Sequence, residues 1–223
     1  MPRIALAPSP FVGAGAWRAV ASRLADATAI DYGGVSGPDW YGGVGRRITT
    51  QTDGDGPWVV VLHSGAGGYA PAIAAAATRL TSFIFVDAVL PYPGRSYLDN
   101  APAALADRLR RDARNGLLAP WNRWFDVDPL PGLIAEPAAR RAFIRELPQV
   151  PFAFLEAASP ADTAWERLPA AYVRLSTAYE EEASEAERRG WRVRRANLHH
   201  LAMVSDPDAI AELLTDLTHE VAV

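Results

Sequence analysis

Short apolar runs alternate with stretches of helical length along this chain. Residues 3–7, 58–62 and 82–86 are apolar almost without interruption, the pattern of strands buried on both faces, and 27–32 and 170–176 read as two more strands. Between them lie segments of helical composition. A first helix carries Trp17, Val20 and Leu24 on one face, a weaker one covers 39–50, and an alanine-rich one covers 69–80 and can lie close to a sheet. An acidic-to-basic helix over 180–189 suits its own dipole, and 191–195 makes a last strand. Asp206 caps a final helix with Pro207 at its first position and Ile210, Leu213, Leu214 and Leu217 as its apolar stripe. Breaks come from Pro8-Ser9-Pro10, Gly33-Gly34 and Asp53-Gly54-Asp55-Gly56. Strands and helices alternating in this way predict right-handed crossovers and an α/β fold, a mostly parallel doubly wound sheet. Ligands of such a sheet gather at the carboxyl ends of its strands, where Ser64, Asp87 and the loop at Phe11 all fall.

The rhythm changes over about 95–163. Helical pieces over 102–115 and 137–147 are separated by segments dense in proline and aromatic residues, 120–125 and 148–154. This insertion follows a strand whose end should border the site, so it reads as a helical cap. Its aromatics, Trp121, Trp124 and Phe125, either wall an apolar pocket or glue the cap to the body. With 223 residues and 49% hydrophobic content, the chain supports one core: a single domain over 1–223 carrying the insertion.

Composition then removes whole classes of chemistry. A net charge of −4 leaves no basic footprint for nucleic acid, and the arginines at 108–114 and 188–195 read as solvated faces. The absence of cysteine excludes disulfides, thiolate catalysis and thiolate metal sites. All 22 basic residues are arginine, which excludes a Schiff-base lysine and a phosphate-loop lysine. His63, His199 and His200 lack acidic or thiolate companions at ligand spacing, so neither metal nor cofactor is expected. No apolar run reaches about 18 residues, and the N-terminal residues show no targeting pattern, so the expectation is a soluble, cytoplasmic protein with no membrane partner.

The chain is organised around residues 57–68. The apolar strand ends at His63-Ser64-Gly65-Ala66-Gly67-Gly68, a strand, sharp turn and helix in which a tight turn lifts a hydroxyl out of the sheet. The same glycines fit a dinucleotide-cradle pattern, Gly65-Ala66-Gly67-Gly68-Tyr69-Ala70, with Asp87 ending the next strand, although His63 and Ser64 intervene between strand and first glycine. A plain glycine turn with a chance serine is the third reading.

The order Ser64, Asp87, His200 along the chain resembles the α/β-hydrolase family, and the terminal stretch from His200 through Met203 to Pro207 is similar to that of the hydroxynitrile lyase and esterase branch. That resemblance implies a serine nucleophile at Ser64 and a histidine base at His200 rather than His199. It implies an oxyanion hole from the N–H groups of Gly65 and Phe11, with Val12 as a second choice. It leaves the acid open between Asp87 and Glu180, because the positions after the next strand, where relatives usually carry it, are Ser176, Thr177 and Ala178. Leu62 is larger than the residue the family places two before the serine, and Ser9-Pro10 stands where its oxyanion loop usually reads His-Gly. The implied activity is hydrolysis of an ester, lactone or thioester of a small apolar molecule, the substrate being the expected partner. Val12, His63, Trp121, Trp124 and Phe125 are the expected pocket. A lyase or cyclase using His200 as base, and a non-catalytic small-molecule binder, are the alternatives.

Overall fold

The structure is a computed structural model that describes residues 2–52 and 56–221, so the loop expected over 53–56 lies outside the described residues except for Gly56. Among the described residues six strands form one sheet: β1 (Arg3–Ala7), β2 (Ala27–Ala29), β3 (Trp58–His63), β4 (Leu80–Val86), β5 (Ala170–Arg174) and β6 (Arg192–Arg195). Their order is β2-β1-β3-β4-β5-β6, and every neighbouring pair is parallel.

The period of two along each strand divides the interior into two cores. Trp58, Val60 and Leu62 of β3 join Phe83, Phe85 and Tyr172 on one face, where Tyr41, Val44 and Ile48 of the Trp40–Thr52 helix and Ile73 of the Ala70–Ala76 helix cover them. Val59 and Val61 join Ile84, Val86 and Val173 on the other, under Ile210, Leu214 and Leu217 of the Pro207–Val221 helix. Both faces of β3 are therefore covered, which is why its apolar run is unbroken.

The chain leaves β1 toward β2 on one side and leaves β3 toward β4 on the other. The crevice between the carboxyl ends of β1 and β3 is thus a topological switch point, and Phe11 and Ser64 follow those two strands. Several elements are shorter than their patterns suggested: β2 ends at Ala29 and β5 at Arg174, short of the expected 32 and 176. The first helix is only a 3-10 turn, Ala14–Trp17, followed by one α-turn, Arg18–Ala21, since Gly13 and Gly15 weaken its start. The segment after Ser64 opens as a 3-10 turn, Ser64–Tyr69, and its α-helix ends at Ala76, so β4 begins at Leu80. Three glycines in that turn explain the delay in α-helix formation.

Between β4 and β5 the chain makes a helical insertion that includes Ala103–Asp112, Pro137–Arg145 and Phe152–Glu156. Among the described residues no helix is long and apolar enough to cross a membrane.

Candidate active site

Ser64 begins where extended backbone stops. His63 is still in a strand conformation, and Ser64 takes φ 56°, a left-handed value that costs a non-glycine residue of order 1–3 kcal/mol. The surroundings hold it there. The Ser64 carbonyl accepts the N–H of Val89 at 3.1 Å, and a Cβ on Gly67 would run into the Val89 carbonyl. A Cβ on Gly65 would lie 3.1 Å from the Phe11 ring and 3.2 Å from Pro10. The glycines are needed because protein itself approaches them. The space a pyrophosphate would need in a dinucleotide cradle is filled by Pro10, Phe11, Val89 and Tyr92.

Asp87 follows β4 and is also left-handed, φ 42°. The Tyr172 hydroxyl fixes the next residue, donating to the Ala88 carbonyl at 2.7 Å and lying 3.0 Å from its N–H. The buried Asp87 carboxylate accepts from the N–H of Leu175 at 2.6 Å, and from the N–H and hydroxyl of Ser176 at 3.0 and 2.6 Å. His200 Nδ1 donates to it at 3.1 Å. Burial alone would raise the pKa of this carboxyl, but the hydrogen bond and charge of His200, together with the Ser176 donors, outweigh burial and bring it below the usual carboxylate value. With Nδ1 so occupied, Nε2 is the basic nitrogen of His200.

Three rings surround that imidazole. Tyr179 stacks on it with centroids 5.1 Å apart and planes within 4°, His63 lies at 4.6 Å, and Trp121 at 6.1 Å. The Tyr179 hydroxyl is 3.3 Å from Ser64 Oγ. Among the described residues this is the hydrogen bond that Ser64 Oγ makes; none joins it directly to His200. Burial pushes the Tyr179 phenol well above its ordinary pKa, so it stays protonated.

The remaining candidates fall in different places. His63 is fully buried beneath the site, and its Nε2–H donates to the His200 carbonyl at 3.0 Å. Burial first and the neighbouring His200 second lower its pKa to about 3, so it is neutral. His199 turns aside: its Nδ1 accepts from Leu201 N–H at 3.3 Å and its Nε2 meets the Ser205 hydroxyl at 2.9 Å. Glu180 is bound to Arg174 and Arg195 at 3.0 and 2.8 Å, while Asp87 takes the His200 ring. The N–H of Phe11 has only a long contact, 3.4 Å, to Ser9 Oγ, whereas that of Val12 closes a turn on the Ser9 carbonyl at 3.1 Å. The first N–H groups of a helix have no partner within it, so Gly65, second in its turn, has a free one there.

Phe11 and Trp124 pack edge to face at 4.6 Å, and Phe11 meets Tyr97 in the same way at 5.2 Å. Phe125 is 42% exposed and touches Trp121, with centroids 5.3 Å apart. Val12 and Val204 line a 170 Å³ cavity with Phe143 and the Arg18–Glu146 ion pair. Sequence reasoning missed Ser176 and Tyr179. Ser176, at a position where the resemblance expects an acid, instead donates its N–H and hydroxyl to the Asp87 carboxylate that follows the adjacent strand.

No family model and no curated protein matches this chain. Solved structures do. An extracellular α/β-hydrolase from Paenibacillus, described as a structural and functional homologue of tobacco salicylic acid binding protein 2, matches at a TM-score of 0.74 and 19% identity over 96% of this chain and 98% of its own. Tomato methylketone synthase I matches at 0.73 and 12% over 99% of both chains. A histidine-to-alanine mutant of polyneuridine aldehyde esterase matches at 0.71 and 14% over 98% of this chain and all of its own. The chain has the α/β-hydrolase fold, and its structural neighbours are esterases, hydrolases and related enzymes.

Proposed function

We propose that the chain is a carboxylic ester hydrolase acting on an ester, lactone or thioester of a small, largely apolar molecule. Ser64 is the nucleophile, His200 the general base, and Asp87 the carboxylate that orients the imidazole. The observation that carries this reading is the Asp87–His200 hydrogen bond at 3.1 Å, beside a serine held at positive φ on a strand-to-helix turn.

A neutral hydroxyl is a weak nucleophile, so His200 Nε2 takes the Ser64 proton as Oγ attacks the carbonyl carbon. The C=O π pair moves onto oxygen, where the N–H groups of Gly65 and Phe11 stabilise the charge; the long Phe11–Ser9 contact is easily given up for that stronger acceptor. Collapse expels the alkoxide or thiolate, which takes the proton from imidazolium and leaves an acyl-Ser64. Water, deprotonated by His200, then releases the acid. Asp87, ionised and held by four donors, stabilises imidazolium without accepting its proton. The helical insertion acts as the cap, and the rings of Phe11, Tyr97, Trp121 and Trp124 supply the apolar surroundings for the substrate.

A non-hydrolytic reading, in which His200 is a base for lyase chemistry, draws on one observation: Ser64 Oγ bonds to Tyr179 and not to the imidazole. A fluorophosphonate probe separates the two. Wild-type chain should label and should hydrolyse p-nitrophenyl butyrate. Ser64→Ala should lose both, turnover falling by on the order of 10⁴-fold or more. Hydrolysis that survives in Ser64→Ala rejects the serine mechanism, and a wild-type chain that neither labels nor hydrolyses rejects the esterase reading.

A further inference from the structure

One group in hydrogen-bond contact with Ser64 Oγ has no part in the mechanism above. Tyr179 follows β5, on the flank of Ser64 where His200 and Asp87 lie, while Phe11 and Gly65 serve the opposite flank, toward β1. Its phenol oxygen is 3.3 Å from Ser64 Oγ, and its ring covers one face of the His200 imidazole, parallel to within 4°. The phenol is therefore fixed at two points: by its hydroxyl to the nucleophile and by its ring to the base.

The opposite flank is short of donors. Pro10 has no N–H, and the Val12 N–H is committed to the Ser9 carbonyl, so two backbone groups, on Phe11 and Gly65, remain for the carbonyl oxygen. None of them reaches around to the leaving group, which departs on the side of the imidazole that must protonate it.

We propose that Tyr179 is a further catalytic residue of this site, its O–H donating a hydrogen bond to the leaving-group oxygen of the ester as negative charge develops there. This rests on the serine-hydrolase reading above. In the free protein the phenol and Ser64 Oγ share one hydrogen bond, and in this proposal the phenol is its donor, so that the serine's own proton is left for His200. Once Oγ has bonded to the carbonyl carbon, the departing oxygen is attached to that same carbon, within reach of the phenol. The carbon–oxygen bond breaks, its electron pair stays on the alkoxide, and the proton that neutralises it comes from His200 Nε2. Tyr179 keeps its own proton throughout and lowers the cost of the charge. A phenol that burial holds protonated is suited to donating without ionising.

Such a donor matters most for a poor leaving group, because an alkoxide needs stabilisation that a nitrophenolate supplies by delocalisation. The test compares ethyl butyrate with p-nitrophenyl butyrate, which form the same acyl-enzyme, so their kcat/KM values differ only in acylation. Tyr179→Phe keeps the ring and removes the hydroxyl. We expect kcat/KM for ethyl butyrate to fall on the order of 10²-fold, the effect of deleting one positioned donor, with a fall for the nitrophenyl ester at least tenfold smaller. An equal loss on both esters would mean a positioning role through the imidazole, and no loss on either would mean no role; both overturn the proposal. Fluorophosphonate labelling of Tyr179→Phe reports whether the fold and nucleophile survive: if labelling persists and the leaving-group dependence is unchanged, the proposal fails while the serine reading stands. Activity surviving in Ser64→Ala, or a wild-type chain inert on both esters, takes both down.

Discussion

His63 occupies a place that water does not reach, one residue before Ser64 and in ring contact with His200. Its folded pKa, about 3, lies below the unfolded value near 6.5, so between those limits the unfolded chain binds a proton that the folded chain does not. Stability must therefore fall as pH drops through that window, by about 1.4 kcal/mol per pH unit for one proton, and the effect is absent above it. Asp87 acts in the same direction but lower: its depressed pKa withdraws stability only as pH falls below the ordinary carboxylate value. Urea unfolding from pH 7 to 4.5 covers the upper part of this window. His199, its pKa also lowered by burial, acts there in the same direction, so the comparison with a His63 variant isolates His63. His63→Gln keeps an N–H for the His200 carbonyl and should flatten the slope by about one proton; equal slopes in the two proteins would mean that His63 is charged when folded. Single residues were unequally readable beforehand. The positions of Ser64 and Asp87 at strand ends followed from where apolar runs stop, while His200 was set apart from His199 only by the resemblance of its loop to the family's terminal loop. Tyr179, one aromatic side chain in a polar stretch, gave no signal, because its meaning comes from two partners that only the sheet brings to it.

Elements are legible where burial imposes a period. The Pro207–Val221 helix begins where Asp206 and Pro207 said it should, with the Asp206 side chain accepting the Ala209 N–H at 3.3 Å, and it buries Ile210, Leu214 and Leu217 against the sheet. Leu213 belongs to the same apolar stripe in sequence yet is only half-buried, at the margin of the contact. The two leucines make an internal comparison. Leu214→Ala should cost about 3 kcal/mol, as a fully buried leucine does, and lower the urea midpoint without changing the m-value. Leu213→Ala should cost less than about half as much, since one side of its side chain already faces water. Equal losses would contradict the burial assigned to this helix. The segments over 14–21 and 64–76 both open as 3-10 turns, because glycines at their starts delay the α-helix, and they end at Ala21 and Ala76, short of the expected Leu24 and Leu80. The insertion was readable as a change of rhythm and not as an order of helices, because proline and aromatic residues carry no period to follow.

At the scale of the whole molecule, the site lies where sheet and insertion meet, and the meeting is aromatic. Ser64 is 7% exposed, the Phe11 ring lies against Gly65, and Trp124 of the insertion packs on Phe11 while its own N–H is bound to the Ala119 carbonyl at 2.8 Å. Phe11 belongs to the loop after β1, so one aromatic pair joins the crevice of the sheet to the segment above it. We expect a reagent reaching Ser64 to displace or pass that pair, at a cost that rises with its bulk. Two fluorophosphonates of different size make this measurable on the intact chain, since both bond to the same oxygen and differ only in what must pass the rings. Trp124→Leu keeps an apolar side chain in place but removes the edge-to-face contact, which such pairs make worth about 0.5–1.5 kcal/mol. Labelling by the bulky reagent should accelerate on the order of tenfold, the rate equivalent of about 1.4 kcal/mol, with a much smaller gain for the compact one. A ratio of rates that does not change on substitution would mean that access runs elsewhere, and that the Phe11–Trp124 pair only fastens the insertion to the sheet.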